Sequence, residues 1–321
     1  MRRRFFLACA LGPVLLLLSL AAAAVDYPSH PIKLVVPFPP GGGTDMLSRT
    51  LGNELGEILH TAVVVESKPG AATNIATAYV ANQPADGYTL LTGTVSFAAN
   101  SSLYKNLPYR PEQLQPLALL ANSPSILVVR SDAKFQDAKQ LVAVGKANPD
   151  ALNYASWGVG SSAHLAAELF RQTTGSAMTH VPYPGGGPAI TSVLAGQTQF
   201  VFSSLLPVQG FLKAGKMRAL GIAAEARSPV LPNVPTFNEQ GIPLVTGTWF
   251  GAFIAAGTPP AVLATLEAAM QRALARPQMR ESIERDGAVP GYADRQRFSA
   301  FVEQERRRWA GVIKTANIPP E

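Results

Sequence analysis

The sequence predicts an α/β protein built of two lobes, with a helical segment at its C-terminus. Three observations predict this class. The chain has 321 residues, more than one hydrophobic core usually organises. Short β-branched runs alternate with helical patterns in two separate series, and the stretch after residue 259 is helical with almost no strand. Apolar residues make up 47% and charged residues 15%, which suits packed cores and is unlike a disordered chain.

The N-terminus predicts export to the periplasm. Arg2, Arg3 and Arg4 precede an apolar run from Phe5 to Leu20, and small residues follow from Ala21 to Ala24. This order is typical of a signal peptide, which we assign to residues 1–24 and expect to be cleaved. Both the general and the twin-arginine export routes stay open. The only cysteine, Cys9, lies inside this segment, so the mature chain is expected to have no thiol chemistry.

The charge pattern argues against nucleic-acid binding. The formal net charge is +6, but three of the 27 basic residues belong to the predicted signal. The densest basic cluster, Arg306 to Arg308, lies in a predicted helix beside Glu303 and Glu305. Such a mixed face is typical of a solvated helix rather than a phosphate-binding surface.

The first series runs strand, helix, strand, helix, strand. Apolar spacing and bounding prolines or glycines predict elements at residues 32–38, 45–59, 62–66, 74–82 and 89–93. Such an order implies a parallel sheet with right-handed crossovers.

The second series follows the same logic and ends in a helical tail. Strands are predicted at residues 126–129, 152–155, 179–181, 199–203, 218–223 and 249–255, with helices at 135–146, 164–173 and 189–194. Helices are predicted at 259–275, 279–286 and 295–316. We therefore place the first lobe in residues 25–123, the second lobe in 124–254, and a return to the first lobe in 255–321. Ligands of open α/β sheets bind at the carboxyl ends of the strands, so the cleft between the lobes is the expected site.

Two glycine-rich loops each join a strand to a helix and suit an anion. The first runs from Pro37 to Asp45 with Gly41, Gly42 and Gly43 in the middle. Glycines allow a ligand close to the backbone, and the following helix adds N–H donors and its positive dipole end. The loop lacks the lysine and serine or threonine of a P-loop, which argues against nucleotides. A plain capped turn is the alternative interpretation.

The second loop runs from Ser156 to His164. Its Gly158-x-Gly160 pattern resembles a dinucleotide fingerprint, but the next strand carries no carboxylate to bind a ribose, so a dinucleotide site is not supported. Its serine hydroxyls lie beside a helix N-terminus and again suit an anion. A third turn, Gly185 to Gly187, either reaches the cleft or is a simple turn.

Catalytic and metal sites are poorly supported. His164 and Glu168 share one helix face, but His30, His60 and His180 lie in unrelated contexts, so a third metal ligand is lacking. Ser161 and His164 lie on one turn and do not make a convincing triad, and no G-x-S-x-G elbow occurs.

A series of spaced motifs resembles one known family. These are Tyr27-Pro28 with Pro31-Ile32, Pro37-Phe38-x-Pro40-Gly41-Gly42-x-x-Asp45, Ala85-Asp86-Gly87-Tyr88-Thr89-Leu90-Leu91, Ser102-Leu103-Tyr104 with Leu107-Pro108-Tyr109, Tyr154-Ala155-Ser156, Gly160-Ser161 with His164-Leu165, His180-Val181-Pro182-Tyr183 with Gly185-Gly186, Arg227-Ser228-Pro229-x-Leu231-Pro232, Val234-Pro235-Thr236 and Gly257-Thr258-Pro259. Across essentially the whole mature chain, the sequence resembles the substrate-binding proteins of tripartite tricarboxylate transporters, the Bug receptors.

This resemblance implies a type II-like periplasmic-binding-protein (Venus-flytrap) fold and a small organic carboxylate as ligand. It implies that backbone amides and ordered waters of the two loops hold one carboxylate, with further contacts from the loop after residue 93. The site residues implied by the resemblance are Phe38, Pro39, Pro40, Gly41, Gly42, Gly43, Thr44, Asp45, Thr94, Ser96, Ser156, Trp157, Gly160, Ser161, Ser162, Ala163 and His164. It also implies delivery to a two-component membrane permease, with no cofactor or metal, and we expect a monomer.

Two departures from the family pattern bear on the ligand. Ser203-Ser204 stand where the family often has an acidic residue, and Val95-Ser96-Phe97 replace another family run. A neutral Ser203 facing the cleft, with Phe38, Phe97 and Trp157 near it, favours a dicarboxylate or an aromatic acid over an amino acid. The alternatives are a hydrolase on a similar scaffold, a sensor for a membrane signalling partner, and a receptor for an ATP-driven transporter.

Overall fold

A computed structural model describes residues 27–320 of the chain. The predicted signal peptide lies outside these residues. Within them the chain forms two sheets, each covered by helices, as the predicted α/β class requires. None of the helices in residues 27–320 is long and apolar enough to cross a membrane.

The first lobe is built on a six-stranded mixed sheet. Its strands are β1 (Ile32–Val36), β2 (Val63–Ser67), β3 (Thr89–Gly93), β4 (Leu114–Pro124), β10 (Gly247–Ala255) and β11 (Val289–Ala293). They lie in the order β11-β4-β10-β3-β1-β2. The predicted parallel pairing holds for β1 with β2 and β3, whereas β10 and β4 continue the sheet in antiparallel pairs.

The second lobe is built on a five-stranded sheet. Its strands are β5 (Ile126–Arg130), β6 (Asn153–Ser156), β7 (Thr179–Pro182), β8 (Phe200–Ser203) and β9 (Met217–Ile222). The order is β7-β6-β8-β5-β9, with β6 parallel to both its neighbours and β5 antiparallel to both of its own.

Ten α-helices within the described residues cover the two sheets. Those of the first lobe are α1 (Gly43–Leu59), α2 (Asn74–Ala81), α3 (Val95–Leu103), α8 (Pro260–Ala275), α9 (Pro277–Arg285) and α10 (Arg295–Thr315). Those of the second are α4 (Ala138–Ala147), α5 (Ser162–Thr174), α6 (Gly186–Leu194) and α7 (Leu206–Lys213).

The inner strands of each sheet are buried on both faces, which is why β1, β5 and β8 are nearly continuous apolar runs. In β1, Leu34 packs into the cluster with Leu51 of α1, while its neighbour Val35 faces the opposite cluster, which contains Phe253. α10 closes this second side, where the buried carboxylate of Glu305 accepts hydrogen bonds from the indoles of Trp249 (3.1 Å) and Trp309 (2.9 Å). The first lobe therefore includes the C-terminal helices in its core.

The chain passes between the lobes twice, and the two passages run side by side. β4 leads through Pro124 into β5, and residues 244–246 lead back into β10, with Ser125 N–H bound to the carbonyl of Thr246 at 3.0 Å. β10 belongs to the first sheet, so the predicted boundary after residue 254 is corrected: the return to the first sheet begins at Gly247. Periodicity alone located this strand but not its sheet, because its pairing partners lie far away in sequence.

Candidate functional site

A cavity of about 450 Å³ lies between the lobes. From the first lobe it is lined by the loop before α1, the start of α3 and two residues of β10. From the second it is lined by the starts of α5, α6 and α7. The lining residues are Phe38, Pro39, Pro40, Gly42, Gly43, Thr44, Thr94, Val95, Ser96, Trp157, Ser162, Gly186, Gly187, Ile190, Thr191, Ser204, Pro207, Phe211, Thr248 and Phe250.

Helix N-termini converge on this cavity from both lobes. Gly43 of α1, Val95 of α3, Ser162 of α5 and Gly186 of α6 each stand at a first helical position and line the wall. The residues that precede α1, α3 and α6 provide no side-chain cap, so their first N–H groups are not satisfied by a cap. Each N-terminus carries a partial positive charge, so the cavity favours an anion.

The cavity wall itself carries no ionisable side chain among the described residues. Its polar groups are backbone amides and the hydroxyls of threonine and serine residues, such as Thr44, Thr94 and Ser96. The Oγ1 of Thr94 is buried and has no hydrogen-bond partner in residues 27–320. The rings of Trp157, Phe211 and other aromatic residues supply apolar surface. This combination suits a small organic anion with an apolar body.

Asp45 holds the first loop in shape from behind. Its Oδ2 accepts the N–H of Gly41 (2.9 Å) and the Nε–H of Arg49 (2.9 Å). Burial alone would raise the pKa of Asp45, but the hydrogen bonds from Arg49 and Gly41 outweigh it and lower that pKa below its usual value. Gly41 has a positive φ of 89°, a conformation that glycine adopts without strain. The Oδ2 of Asp45 therefore stabilises the loop from behind, while Gly42 and Gly43 line the cavity.

The second loop is held by its own side chains. The Oγ of Ser156 accepts the N–H of Gly158 (3.1 Å), and the Oγ of Ser161 donates to the carbonyl of Gly158 (2.7 Å). Ser161 also caps α5 by accepting the N–H of His164 (3.3 Å). The Nδ1 of His164 in turn accepts the N–H of Gly160 (3.1 Å). These bonds fix the backbone of the loop and leave Ser162, at the start of α5, on the cavity wall.

A stacked column of rings supports the second loop. His164 lies 4.1 Å from His180, and His180 lies 4.9 Å from Tyr154, measured between ring centroids. Nε2 of His180 shares a 2.6 Å hydrogen bond with the Oγ of Ser156. Burial lowers the pKa of His164 to about 4, and burial together with the neighbouring His164 lowers that of His180 to about 3. Both imidazoles are thus neutral near pH 7, which leaves Nδ1 of His164 free to accept.

Comparison with known proteins identifies the family. Residues 47–318 match the model of the tripartite tricarboxylate transporter family receptor. Protein BugT of Bordetella pertussis is 36% identical over 296 residues, which cover 91% of both chains. This chain belongs to the tripartite tricarboxylate transporter receptor family. The resemblance inferred from the sequence motifs is thereby confirmed.

Two solved structures are similar over nearly the full chain. The periplasmic binding protein BugD superposes with a TM-score of 0.83 at 31% identity, covering 92% of this chain and 100% of its own. Rpa4515 of R. palustris, solved with adipate, superposes with a TM-score of 0.86 at 33% identity, with the same two coverages. The two-lobed periplasmic-binding-protein fold is confirmed, and the chain is a solute-binding receptor rather than an enzyme.

Ten of the predicted site residues line the cavity of this family member. They are Phe38, Pro39, Pro40, Gly42, Gly43, Thr44, Thr94, Ser96, Trp157 and Ser162. The predicted loop at Thr94 is instead the N-terminus of α3, where the hydroxyl of Ser96 donates to the carbonyl of Gly160 across the lobes at 3.5 Å.

The structure places the other eight predicted residues outside the lining. They are Gly41, Asp45, Ser156, Gly160, Ser161, Ala163, His164 and Ser203. The bonds described above turn most of them toward the protein interior, where they shape the wall. Ser203 is 1% exposed at the end of β8, and the following residue, Ser204, lines the cavity in its place. Phe97, offered as a neighbour of the ligand, packs on Phe253 with ring centroids 4.4 Å apart.

The sequence left the contribution of α6 open and gave no prediction for those of α7 and β10. The third glycine-rich turn was left open between a cleft position and a simple turn, and the structure places Gly186 and Gly187 on the wall. Glycine runs at a strand-to-helix junction gave a usable signal there. Phe211 and Thr248 gave none, because nothing in their local pattern indicates which lobe they face.

Proposed function

We propose that this protein is an extracytoplasmic receptor that captures a small dicarboxylate or aromatic carboxylate and delivers it to a two-component membrane permease. The observation that carries the proposal is the anion-favouring cavity, in which helix N-termini converge and no ionisable side chain lines the wall. One ligand carboxylate binds the amides at Gly42, Gly43 and Ser162, so charge is met by oriented dipoles from both lobes.

The preference against amino acids rests on the composition of the wall. An ammonium group loses its water on entering the cleft and needs a carboxylate or several carbonyls in exchange. None of the described lining residues is acidic. The rings of Phe38, Trp157, Phe211 and Phe250 favour a hydrocarbon or aromatic body instead. Ser203 plays no part in this preference, because it does not line the cavity.

Family membership supports the partner and the location. Receptors of this family serve tripartite transporters, so the expected partner is the membrane permease rather than a second copy of the chain, and we propose a monomer. We also propose that residues 1–24 are removed on export. The intact mass of the exported protein tests this, since a mass that retains the basic and apolar segment before Leu20 would contradict it.

Thermal unfolding with a panel of acids tests the ligand class. The purified protein, freed of bound solutes by mild denaturation and refolding, is heated with adipate, succinate, benzoate, hexanoate or aspartate. A ligand at a hundred times its Kd stabilises the folded form by about 2.7 kcal/mol, which raises the Tm by several degrees. We expect at least one acid without an ammonium group to do so, and aspartate to bind more weakly than succinate. No shift with any carboxylate would contradict the proposal.

A further inference from the structure

Asp286 lies at the C-terminus of α9, beside the ligand cavity, and no sequence motif singled it out. The residue is 8% exposed, and nothing in residues 27–320 donates a hydrogen bond to its Oδ1. The C-terminal end of a helix is its negative end, so α9 does not stabilise a charged carboxylate there. A buried acid with an unpaired oxygen at such a position is costly to keep without a partner that arrives from outside.

Asp286 lines a small chamber that adjoins the main cavity. The chamber has a volume of about 10 Å³ and shares Gly43, Ser204 and Phe250 with the cavity wall. Such a space holds about one water or one oxygen atom of a ligand. Both lobes enclose it, since Ser204 belongs to the second lobe and Asp286 to the first. A polar group at one end of a ligand that extends into this chamber would meet the carboxyl group of Asp286, directly or through one water.

The chamber gives Asp286 no opposite charge as a neighbour. The remaining residues that line it, from α1, α7, α9, β4 and the turn before β11, are all uncharged. The charged side chains of α1 are paired elsewhere: Asp45 binds Arg49, and Glu54 binds Arg276. Burial raises the pKa of Asp286 to about 6, and the charge of Arg285 only partly opposes this. The carboxyl group thus takes up a proton easily.

We propose that Asp286 is a specificity-determining residue that carries a proton and donates it as a hydrogen bond to a second ligand carboxylate. This inference rests on the proposed carboxylate-receptor function. An ionised Asp286 would repel a second carboxylate, whereas a protonated one makes a short, charge-assisted hydrogen bond with it. The protein then binds a dicarboxylate together with one proton and binds a monocarboxylate without one.

The pH dependence follows from this proton. A second carboxylate raises the pKa of Asp286 above its value in the free protein. The affinity for a dicarboxylate is therefore highest below about pH 6, where Asp286 is already protonated in the free protein. It falls as the pH rises, by up to about tenfold per pH unit in the range where Asp286 is ionised in the free protein but protonated in the complex. The affinity for a monocarboxylate has no such dependence.

Calorimetry with two acids of equal chain length tests the proposal. Adipate and hexanoate are titrated into the wild-type protein between about pH 6.5 and 8.5, where the carboxyl groups of both acids are ionised. Titrations in two buffers of different ionisation enthalpy count the protons taken up. We expect proton uptake with adipate, largest at a pH between the pKa values of Asp286 in the free and the bound protein, and none with hexanoate.

Asp286→Asn removes the titration and keeps a donor. We expect this variant to bind adipate with the same Kd across the range, and at least tenfold more tightly than wild type at the upper end. Asp150→Asn, at an exposed turn before β6, is the matched control and should keep the wild-type profile. Circular dichroism checks the fold of each variant, and the two-buffer measurement on wild type decides the question if Asp286→Asn is unstable.

The outcomes separate the two proposals. Adipate binding without proton uptake, or with the same pH profile in Asp286→Asn, overturns the role of Asp286 and leaves the receptor function intact. Tighter binding of aspartate than of adipate by the wild type, lost in Asp286→Asn, would show that the carboxylate serves an ammonium group instead and overturns the inference. Binding of neither acid by any variant overturns the proposed function together with this inference.

Discussion

His164 shows how a buried side chain shapes the ligand site without touching the cavity. Its Nδ1 accepts the N–H of Gly160, and its ring stacks on His180, which binds Ser156. The low pKa values of both histidines keep the rings neutral, so the acceptor stays available at neutral pH. The orientation of the peptide at Gly160 thus depends on a ring behind the wall.

We expect His164→Ala to weaken ligand binding and His164→Asn to restore it. Alanine leaves the buried N–H of Gly160 without its acceptor and frees the loop to move, and restoring the loop on binding then costs about 1 kcal/mol, or about fivefold in Kd. The Oδ1 of asparagine stands at nearly the same reach as Nδ1 of histidine and accepts the same hydrogen bond. Calorimetry with adipate measures both variants. Equal losses in the two would show that the ring matters only for packing.

The recurring element of the site is a strand, a glycine-rich turn and a helix. It occurs at the starts of α1, α5 and α6, and each copy brings a helix N-terminus to the cavity. The glycines in these turns have different structural roles. A Cβ on Gly42 would meet nothing within 4 Å, whereas Gly160 has φ 75° and its Cβ would lie 2.5 Å from Cδ1 of Leu103 in α3.

Gly42→Val and Gly160→Val therefore separate ligand contact from loop shape. The valine at 42 enters open space on the cavity side, so we expect a loss of adipate affinity of tenfold or more with little change in Tm. The valine at 160 faces both an unfavourable φ and the side chain of Leu103, so affinity and Tm should both fall. Unchanged affinity in Gly42→Val would remove the first loop from the site.

Local patterns predicted the elements that have a clear period and missed those that do not. The β-branched run at β1 and the apolar spacing of α1 were sufficient to locate both. β4 was missed because Pro116 and several alanine and leucine residues weaken its strand pattern, although it is an interior strand of the first sheet. β11 was missed for a similar reason, since Pro290 and Gly291 interrupt it.

The site was predictable only where function leaves a local mark. Glycine runs and serines at strand-to-helix junctions marked three of the helix N-termini, because an anion needs free backbone amides. The local sequence gave no signal for Asp286, because a single acidic residue at the end of an amphipathic helix is usually exposed to solvent. Asp286 shares its chamber with Ser204 and Phe250, which come from distant parts of the chain.

At the scale of the whole molecule, two adjacent passages connect the lobes. They are in close contact at Gly247, since a Cβ at this position would lie 2.2 Å from the carbonyl oxygen of Ser123. The neighbouring atoms belong to the backbone, so a side chain here has to push the two passages apart. A ligand that binds both lobes is sensitive to such a shift, because its contacts depend on how the lobes face one another.

We expect Gly247→Ala to reduce adipate affinity by tenfold or more and to lower the Tm. Gly311→Ala is the matched control: it lies on an exposed face of α10 with nothing within 4 Å of its Cβ, and alanine there stabilises a helix by about 0.5–1 kcal/mol. Calorimetry and thermal unfolding measure both variants, and small-angle scattering with and without adipate measures how the lobes approach. We expect the radius of gyration of the wild type and of Gly311→Ala to decrease when adipate binds. We expect the radius of gyration of Gly247→Ala to change less. Wild-type affinity and the same decrease in Gly247→Ala would show that the spacing of the two passages does not control how the lobes meet around the ligand.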